Sequence, residues 1–219
     1  MNSSLPLNVA RLGFATTAIV AMTYQFSATA DSGFQKANFF SFFTIQSNLL
    51  AVALLFLLVI VRKAERTPLF DASRSGVVLY MAITGVVFAL LLAGLQEEVQ
   101  TTIPWVDLVV HKLMPVVLVV DWILDPPRHR LPRWAAAAWL VFPFVWLVYT
   151  LVRGAFVDWY PYPFVDVDRL GYDGVLLRCV FLLVGMTLAA TAMLWIGNRR
   201  ARGGSRQMLR ATTPGTDCL

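Results

Sequence analysis

Charged residues, histidine and cysteine are all scarce in this chain. Lys, Arg, Asp and Glu together make up 14% of its 219 residues, against 58% hydrophobic residues. This balance excludes an ordinary water-soluble domain. The two histidines and two cysteines form no cluster in the sequence, so we expect no structural zinc, no other metal site and no bound cofactor.

Long apolar runs take the place of the missing polar residues. Six segments reach the length of about 20 mainly apolar residues that a transmembrane helix needs. They cover approximately residues 9–30, 38–61, 76–96, 105–124, 134–152 and 173–197. The sequence therefore predicts an all-α polytopic membrane protein, with a bundle of six transmembrane helices over residues 1–198 and a disordered basic tail over residues 199–219.

Lys and Arg are divided unevenly between the two sides of this predicted bundle. Thirteen of the 18 lie on the side of both termini, three lie on the other side, and Lys112 and Arg178 lie inside the spans. Because basic connections stay in the cytoplasm, we expect both termini to be cytoplasmic. The short loops and the many Ala, Val and Arg residues are typical of a bacterial plasma membrane protein. This topology accounts for the net charge of +5 without a nucleic-acid partner.

One apolar run, FFSFFTIQSNLL, is interrupted by polar residues at helical spacing. Ser41, Thr44, Ser47 and Asn48 are three or four residues apart, so they share one face of the second span. Thr44 lies about six residues from the outer start of this span, and His111 lies about as deep in the fourth. The sequence thus places a candidate nucleophile and a candidate base at one depth in the outer leaflet.

The neighbours of His111 fit a catalytic histidine. Asp107 lies one turn before it, where we expect the carboxylate to hold the ring or its tautomer. Pro115 lies one turn after it and has no N–H for the His111 carbonyl. We therefore expect a kink that opens room for a ligand.

Other charged residues lie closer to the ends of the spans. We expect Lys112 to extend toward the outer surface. Asp121 and Asp125 are predicted to cap their helix or to pair with the arginines that follow them. Arg178 is predicted to pair with an acid of the loop before it, either Asp166, Asp168 or Asp173.

The segment DWYPYPF follows the fifth span on the predicted outer side. One interpretation is a lid over a pocket for an acyl chain, with walls formed by Phe43, Pro115, Trp159, Tyr160 and Tyr162. The other interpretation is an aromatic belt at the membrane interface.

Taken together, these motifs resemble a known family. FFT at the outer start of the second helix, HKLMP early in the fourth and WYPYPF after the fifth are similar to the androgen-induced and androgen-dependent TFPI-regulating protein family. FFTIQSNLL, MPVVLVVDWILDPP and WLVYTLVRGAFVDWYPYPF resemble recurrent segments of its bacterial branch. The animal members are six-helix membrane hydrolases that cleave fatty acid esters of hydroxy fatty acids with one Thr and one His. The resemblance implies that Thr44 and His111 are the catalytic pair of this chain and that a lipid ester is its substrate.

The implied reaction uses few residues. His111 accepts the proton of Thr44 as the hydroxyl attacks the ester, and water then hydrolyses the acyl-threonine. Asp107 is predicted to orient His111, and Ser47 or Asn48 to donate to the oxyanion. A Thr–His dyad without Asp107 is equally compatible with the sequence.

Other classes of protein remain open at this point. A lipid-binding protein without chemistry would use Thr44 only as a hydrogen-bonding contact between helices and would keep His111 neutral beside Asp107. A transporter or channel would need an inverted repeat and charged elements near the bilayer midplane, and the sequence shows no convincing repeat. A haem protein is disfavoured because its second axial ligand would have to be a Met or water. Membrane lipids are the only other partners that the sequence predicts, and no feature predicts an oligomeric state.

Overall fold

A computed structural model of the chain describes residues 5–31, 36–95, 97 and 103–212, with the backbone alone for residues 30, 31 and 202–212. All regular structure in this described part is helical, which confirms the all-α prediction. The α-helices are α1 (Leu5–Asp31), α2 (Lys36–Ser41), α3 (Phe43–Ile60), α4 (Pro68–Val87), α5 (Pro104–Leu108), α6 (Met114–Leu124), α7 (Ala135–Ala138), α8 (Val141–Val157) and α9 (Val167–Thr212). Two π-helical turns, Phe88–Leu92 and Val109–Leu113, extend α4 and join α5 to α6.

Five helical segments of the described residues are long and apolar enough to cross a membrane. They are Leu5–Thr29, Phe43–Ile60, Pro68–Leu92, Ala135–Val157 and Val167–Ala201. The predicted fourth span is instead divided among α5, the second π-helical turn and α6. The backbone of α9 continues past residue 198, where the sequence places the end of the last span, and residues 213–219 lie outside the described part. The disordered tail therefore stays a prediction.

Local chemistry explains several helix ends. Thr67 caps α4, because its hydroxyl oxygen accepts the Phe70 N–H at 3.1 Å and Pro68 occupies the first turn. At the other end, Gly94 has a φ of +93° just beyond the π-helical turn, a left-handed conformation that glycine adopts without strain. Phe42 is extended, with φ −69° and ψ 128°, and separates α2 from α3. The continuous second span expected over residues 38–61 is therefore broken near its outer end.

Small residues bring α1 close to α3. Ala15, Ala18 and Ala21 recur at helical spacing and are fully buried, as are Ala51 and Leu55 on α3. Such residues let helix backbones approach closely, which is how helices gain packing contacts in a membrane. This contact fixes the position of α3 and so of Thr44.

A buried ion-pair network, which we call the basic-end network, lies at the end of the bundle opposite Thr44. Asp121 lies 2.6 Å from Arg11 and 2.8 Å from Arg74, and Asp125 lies 2.7 Å from Arg11 and 2.9 Å from Arg66. Three of these five residues lie in α1, α4 and α6, the other two lie in the connections that contain Arg66 and Asp125, and all five are buried. The prediction that the two aspartates pair with the arginines that follow them is wrong, because both carboxylates pair with arginines that are distant in the sequence.

Asp125 is the most connected member of this network. Lys63 Nζ also lies 2.7 Å from Asp125 Oδ1. Burial by itself would raise the pKa of the Asp125 carboxyl, but the surrounding cations hold that pKa well below its usual range. The carboxylate therefore stays charged at neutral pH.

Candidate active site

The break at Phe42 places Thr44 in the first turn of α3, where backbone N–H groups have no partner within the helix. The hydroxyl of Tyr162 takes the place of that partner. It accepts the Thr44 N–H at 3.1 Å and lies 3.1 Å from Thr44 Oγ1. Burial raises the pKa of Tyr162 to about 12, so the phenol stays protonated and can donate to Oγ1 while it accepts from the backbone.

Ser41, the residue before the break, is bound by distant side chains in a similar way. Trp146 Nε1 donates to the Ser41 carbonyl at 2.9 Å, and Tyr149 lies 2.9 Å from the Ser41 hydroxyl. Side chains of α8 and of the loop after it thus satisfy the backbone on both sides of Phe42. The interruption of the helix is therefore stabilised by the tertiary structure.

His111 lies in the second π-helical turn. The turn is wider than an α-helical one because the Met114 N–H bonds to the Val109 carbonyl, five residues back. Pro115 has no N–H to offer the His111 carbonyl, which accounts for the local loss of α-helical bonding. The disturbance predicted from Pro115 thus takes the form of a π-helical turn, an element common at functional sites.

Asp107 and His111 form a buried pair, as predicted from their spacing. His111 Nδ1 lies 2.9 Å from Asp107 Oδ1, and 2% of the histidine is exposed. Lys112 is half-exposed, and its Nζ lies 3.4 Å from Asp107 Oδ2. A carboxylate beside Nδ1 favours the tautomer with the proton on that nitrogen, which leaves Nε2 as the basic atom.

The ring of Phe88 stacks on His111 with centroids 4.2 Å apart and planes 10° from parallel. Phe88 belongs to the first π-helical turn, so the two π-helical turns face each other across this contact. Stacking on one face and the Asp107 bond at one edge leave the imidazole little freedom to rotate. No pattern in the sequence pointed to Phe88, because the contact joins residues of different helices.

Asn48 connects the two halves of the site. Its Nδ2 donates to the Thr44 carbonyl at 2.9 Å and to the Val110 carbonyl at 3.1 Å. The start of α3 and the turn that holds His111 are therefore tied at one level. Both amide hydrogens are used in this way, so they are not free for an oxyanion. Within the described chain, Asn48 Oδ1 and Ser47 Oγ are buried without a hydrogen-bond partner.

No hydrogen bond joins Thr44 directly to His111 in the part of the chain that the structure describes. Thr44 Oγ1 is engaged by Tyr162, and His111 Nδ1 by Asp107. Catalytic hydrogen bonds are often long before substrate binds and tighten in the complex. A transfer from Thr44 to Nε2 would require the hydroxyl to turn away from Tyr162.

Thr44 lies in the wall of an apolar cavity of about 280 Å³. Phe43 and Tyr162 also line it, together with side chains of α4, α8 and α9. Of the other predicted pocket residues, Pro115, Trp159 and Tyr160 lie outside this lining. Trp159 instead packs edge-on against Phe42, with centroids 5.6 Å apart.

Pro115 and Tyr160 each pack against a glycine. A Cβ atom at Gly85 would lie 2.9 Å from Pro115 Cβ, and one at Gly154 would overlap the Tyr160 ring. These two predicted pocket residues therefore hold helices and the aromatic loop in place rather than facing the cavity beside Thr44.

Tyr162→Phe tests the role of the phenol beside Thr44. The ring and its stacking on Phe164, with centroids 5.1 Å apart, are kept, while the Thr44 N–H and hydroxyl lose their partner. We expect the protein to fold and the ester hydrolysis that the resemblance implies to slow about 10-fold or more, since each of the two lost hydrogen bonds contributes about 0.5–1.5 kcal/mol. Initial rates on a long-chain p-nitrophenyl ester measure this, and Tyr149→Phe, which loses a bond to Ser41 instead, is the matched control. A rate equal to that of wild type would show that Tyr162 does not position Thr44.

No protein-family model, no curated protein and no solved structure matches this chain, so the geometry of the site has to support the functional argument.

Proposed function

We propose that this protein is an intramembrane hydrolase of lipid esters, with Thr44 as the nucleophile and His111 as the base. The observation that supports this most directly is the buried Asp107–His111 pair. Asn48 ties the backbone of Val110, next to His111, to the backbone of Thr44, and Thr44 lines an apolar cavity. A carboxylate, an imidazole and a hydroxyl are the three groups of a triad-like hydrolase. The resemblance of the FFT, HKLMP and WYPYPF motifs points to the same two residues.

The reaction follows from these groups. His111 Nε2 takes the proton of Thr44 as Oγ1 forms a bond to the ester carbonyl carbon, and the carbonyl oxygen becomes an oxyanion. The intermediate collapses, the C–O bond to the alcohol half breaks, and His111 returns the proton to the departing alcohol. Water then attacks the acyl-threonine with His111 as base, releasing the fatty acid and restoring Thr44. Asp107 stabilises the imidazolium in both steps.

A lipid ester fits the surroundings of Thr44. The cavity beside Thr44 is lined almost wholly by apolar side chains, so burial of acyl chains would supply most of the binding free energy. Fatty acid esters of hydroxy fatty acids, the substrates implied by the resemblance, have the required chains and ester. Such molecules partition into the bilayer and can reach a site within it directly.

The proposed topology has six spans, with α5, the second π-helical turn and α6 together forming the fourth. The distribution of Lys and Arg supports a cytoplasmic location for both termini. The short loops and the many Ala, Val and Arg residues support a bacterial plasma membrane. The basic-end network then lies at the cytoplasmic side, and Thr44 and His111 lie in the outer half of the membrane.

A lipid-binding or transport protein without chemistry is the second candidate function. The observation in its favour is that the Thr44 hydroxyl is engaged by Tyr162 and not by His111. In this alternative Thr44, Tyr162 and Asn48 only hold the helices together around the cavity.

Labelling with a long-chain fluorophosphonate probe separates the two candidates. We expect the detergent-solubilised wild type and Thr44→Ser to be labelled at residue 44, as located by peptide mass, because both have a hydroxyl there. Thr44→Ala and His111→Ala should lose the label. Thr84→Ala is the matched control, since Thr84 is a buried threonine of the same cavity whose hydroxyl donates to the Tyr80 carbonyl. An unlabelled wild type, or equal labelling of Thr44→Ala, would favour lipid binding without chemistry.

A further inference from the structure

A second, larger cavity of about 720 Å³ adjoins the one beside Thr44. It lies between α4 and α9, beside the turn Pro163–Val165. Six residues line both cavities: Ile83, Val87, Leu92, Phe164, Leu182 and Met186. Its volume is within the range of about 300–1,000 Å³ that is usual for ligand pockets. The two cavities are therefore adjacent and share a wall of apolar side chains, and Thr44 lines the smaller one.

Two of the 16 residues that line the larger cavity are charged, and both are arginines: Arg169 and Arg178. The other lining residues are apolar side chains and one glycine. A cavity of this composition complements a molecule that is apolar over most of its length and negatively charged at one end.

Arg178 is the more informative of the two arginines. The backbone of α9 is non-helical at Gly171. Arg178 lies seven residues after this point, which is about 10 Å further along the apolar helix. Its Nη1 donates to the Gly174 carbonyl of its own helix at 3.4 Å, and no carboxylate of the described residues lies within 4.0 Å of it. The predicted pairing with an acid of the preceding loop is therefore wrong.

An arginine inside a membrane span is costly unless a counter-ion accompanies it, and such residues tend to mark function. The buried arginines of the basic-end network all have carboxylate partners, whereas Arg178 is exposed and has none among the described residues. The guanidinium group is planar and matches the two oxygens of a carboxylate or a phosphate. The missing counter-ion of Arg178 can therefore come from a ligand in the cavity.

We propose that the larger cavity binds an anionic amphiphile, with its acyl chain between α4 and α9 and its acidic headgroup on Arg178. The headgroup is a carboxylate or a phosphate, and Arg169 adds a second positive charge at the same cavity. As a statement about the substrate, this rests on the proposed hydrolase function: the headgroup is held by Arg178 while the chain directs the ester toward Thr44. As a statement about binding, it needs no reaction.

The test measures binding to the non-reacting Thr44→Ala variant in a neutral detergent. The probes are oleate, oleyl phosphate and oleyl alcohol, which share one chain and differ in headgroup, each competing with radiolabelled oleate. We expect at least one of the two anions to bind about 10-fold or more tightly than the alcohol, the effect of a single charge-assisted hydrogen bond. Tighter binding of oleyl phosphate would assign a phosphate headgroup, and tighter binding of oleate a carboxylate.

Substitutions in the Thr44→Ala background locate the effect. Adding Arg178→Gln should abolish the preference for anions and leave the affinity for oleyl alcohol unchanged, which also shows that the variant is folded. Lys36→Gln is the matched control, because it removes an exposed cation that lines neither cavity. Equal affinity for all three probes, or a preference that survives Arg178→Gln, would overturn the proposal. The probe comparison needs no Arg178 variant, so it decides the matter even if that variant fails to fold.

The outcomes also separate this proposal from the hydrolase itself. An anion preference in Thr44→Ala together with a wild type that shows no esterase activity would leave the binding site standing and reject the hydrolase. Esterase activity in the wild type without any anion preference would do the reverse.

Discussion

Hydrolysis of a long-chain p-nitrophenyl ester is expected to fall about 10⁴-fold in Asp107→Asn, with little change in the amount of folded protein. The carboxylate lies 2.9 Å from His111 Nδ1 and holds the proton there. An asparagine keeps the shape but can present its amide N–H to Nδ1, which moves the imidazole proton to Nε2 and removes the base. A loss of about 10⁴ in kcat accompanies this change of tautomer in Ser-His-Asp enzymes.

Lys112→Gln is the matched control for this prediction. It removes the second charged partner of Asp107, which lies 3.4 Å away, but leaves the bond to His111. Because Lys112 is half-exposed, we expect a change in rate of less than about fivefold. Initial rates and the pH dependence of kcat should be measured for both variants. A rate in Asp107→Asn within 10-fold of the wild type would reject the triad-like arrangement and leave a Thr–His dyad.

Asp125→Ala is expected to lower the free energy of unfolding by about 3–5 kcal/mol, the cost of removing one partner from a buried ion pair. Arg11 and Arg66 would remain buried with a smaller compensating charge, and Lys63 would lose its partner. Unfolding by SDS titration in mixed micelles measures the change. Glu65→Ala is the matched control: it removes an exposed carboxylate from the same end of the bundle, and we expect a change within about 0.5 kcal/mol.

Acid should act on the same network. The pKa of Asp125 is lower in the folded protein than in the unfolded chain, so its contribution is complete above the unfolded pKa of about 4 and is lost as the pH falls toward the folded value. Wild type should therefore lose stability below about pH 4 more steeply than Asp125→Ala. Parallel curves for the two proteins would show that Asp125 contributes no net stability.

The local features of the candidate site could be predicted from the sequence. The spacing of Asp107 and His111 puts them one helical turn apart, and the structure joins them. The spacing of Thr44, Ser47 and Asn48 puts them on one face of α3, and all three are buried. These relations hold because the geometry of a single helix fixes which residues are neighbours.

Local patterns also misled in specific places. The apolar run of the second span does not reveal the break at Phe42. The side chains that bind the exposed backbone at this break come from distant parts of the chain. Asp125 and Arg128 are close in sequence, but the carboxylate is taken by Arg11 and Arg66. In both cases groups more than 50 residues away compete successfully with the nearest ones in the chain.

By itself, the sequence of this protein determined its solvent, its helical class and the residues along each helix that face one another. Its apolar runs are long and apolar enough to cross a membrane as helices, which satisfy their own backbone there. Only the tertiary structure decided that Tyr162 meets Thr44, that Phe88 covers His111 and that Arg178 has no carboxylate beside it. These contacts depend on how each helix is rotated and where it is interrupted. The packing of all the helices together sets both, and the periodicity of a single segment does not encode either.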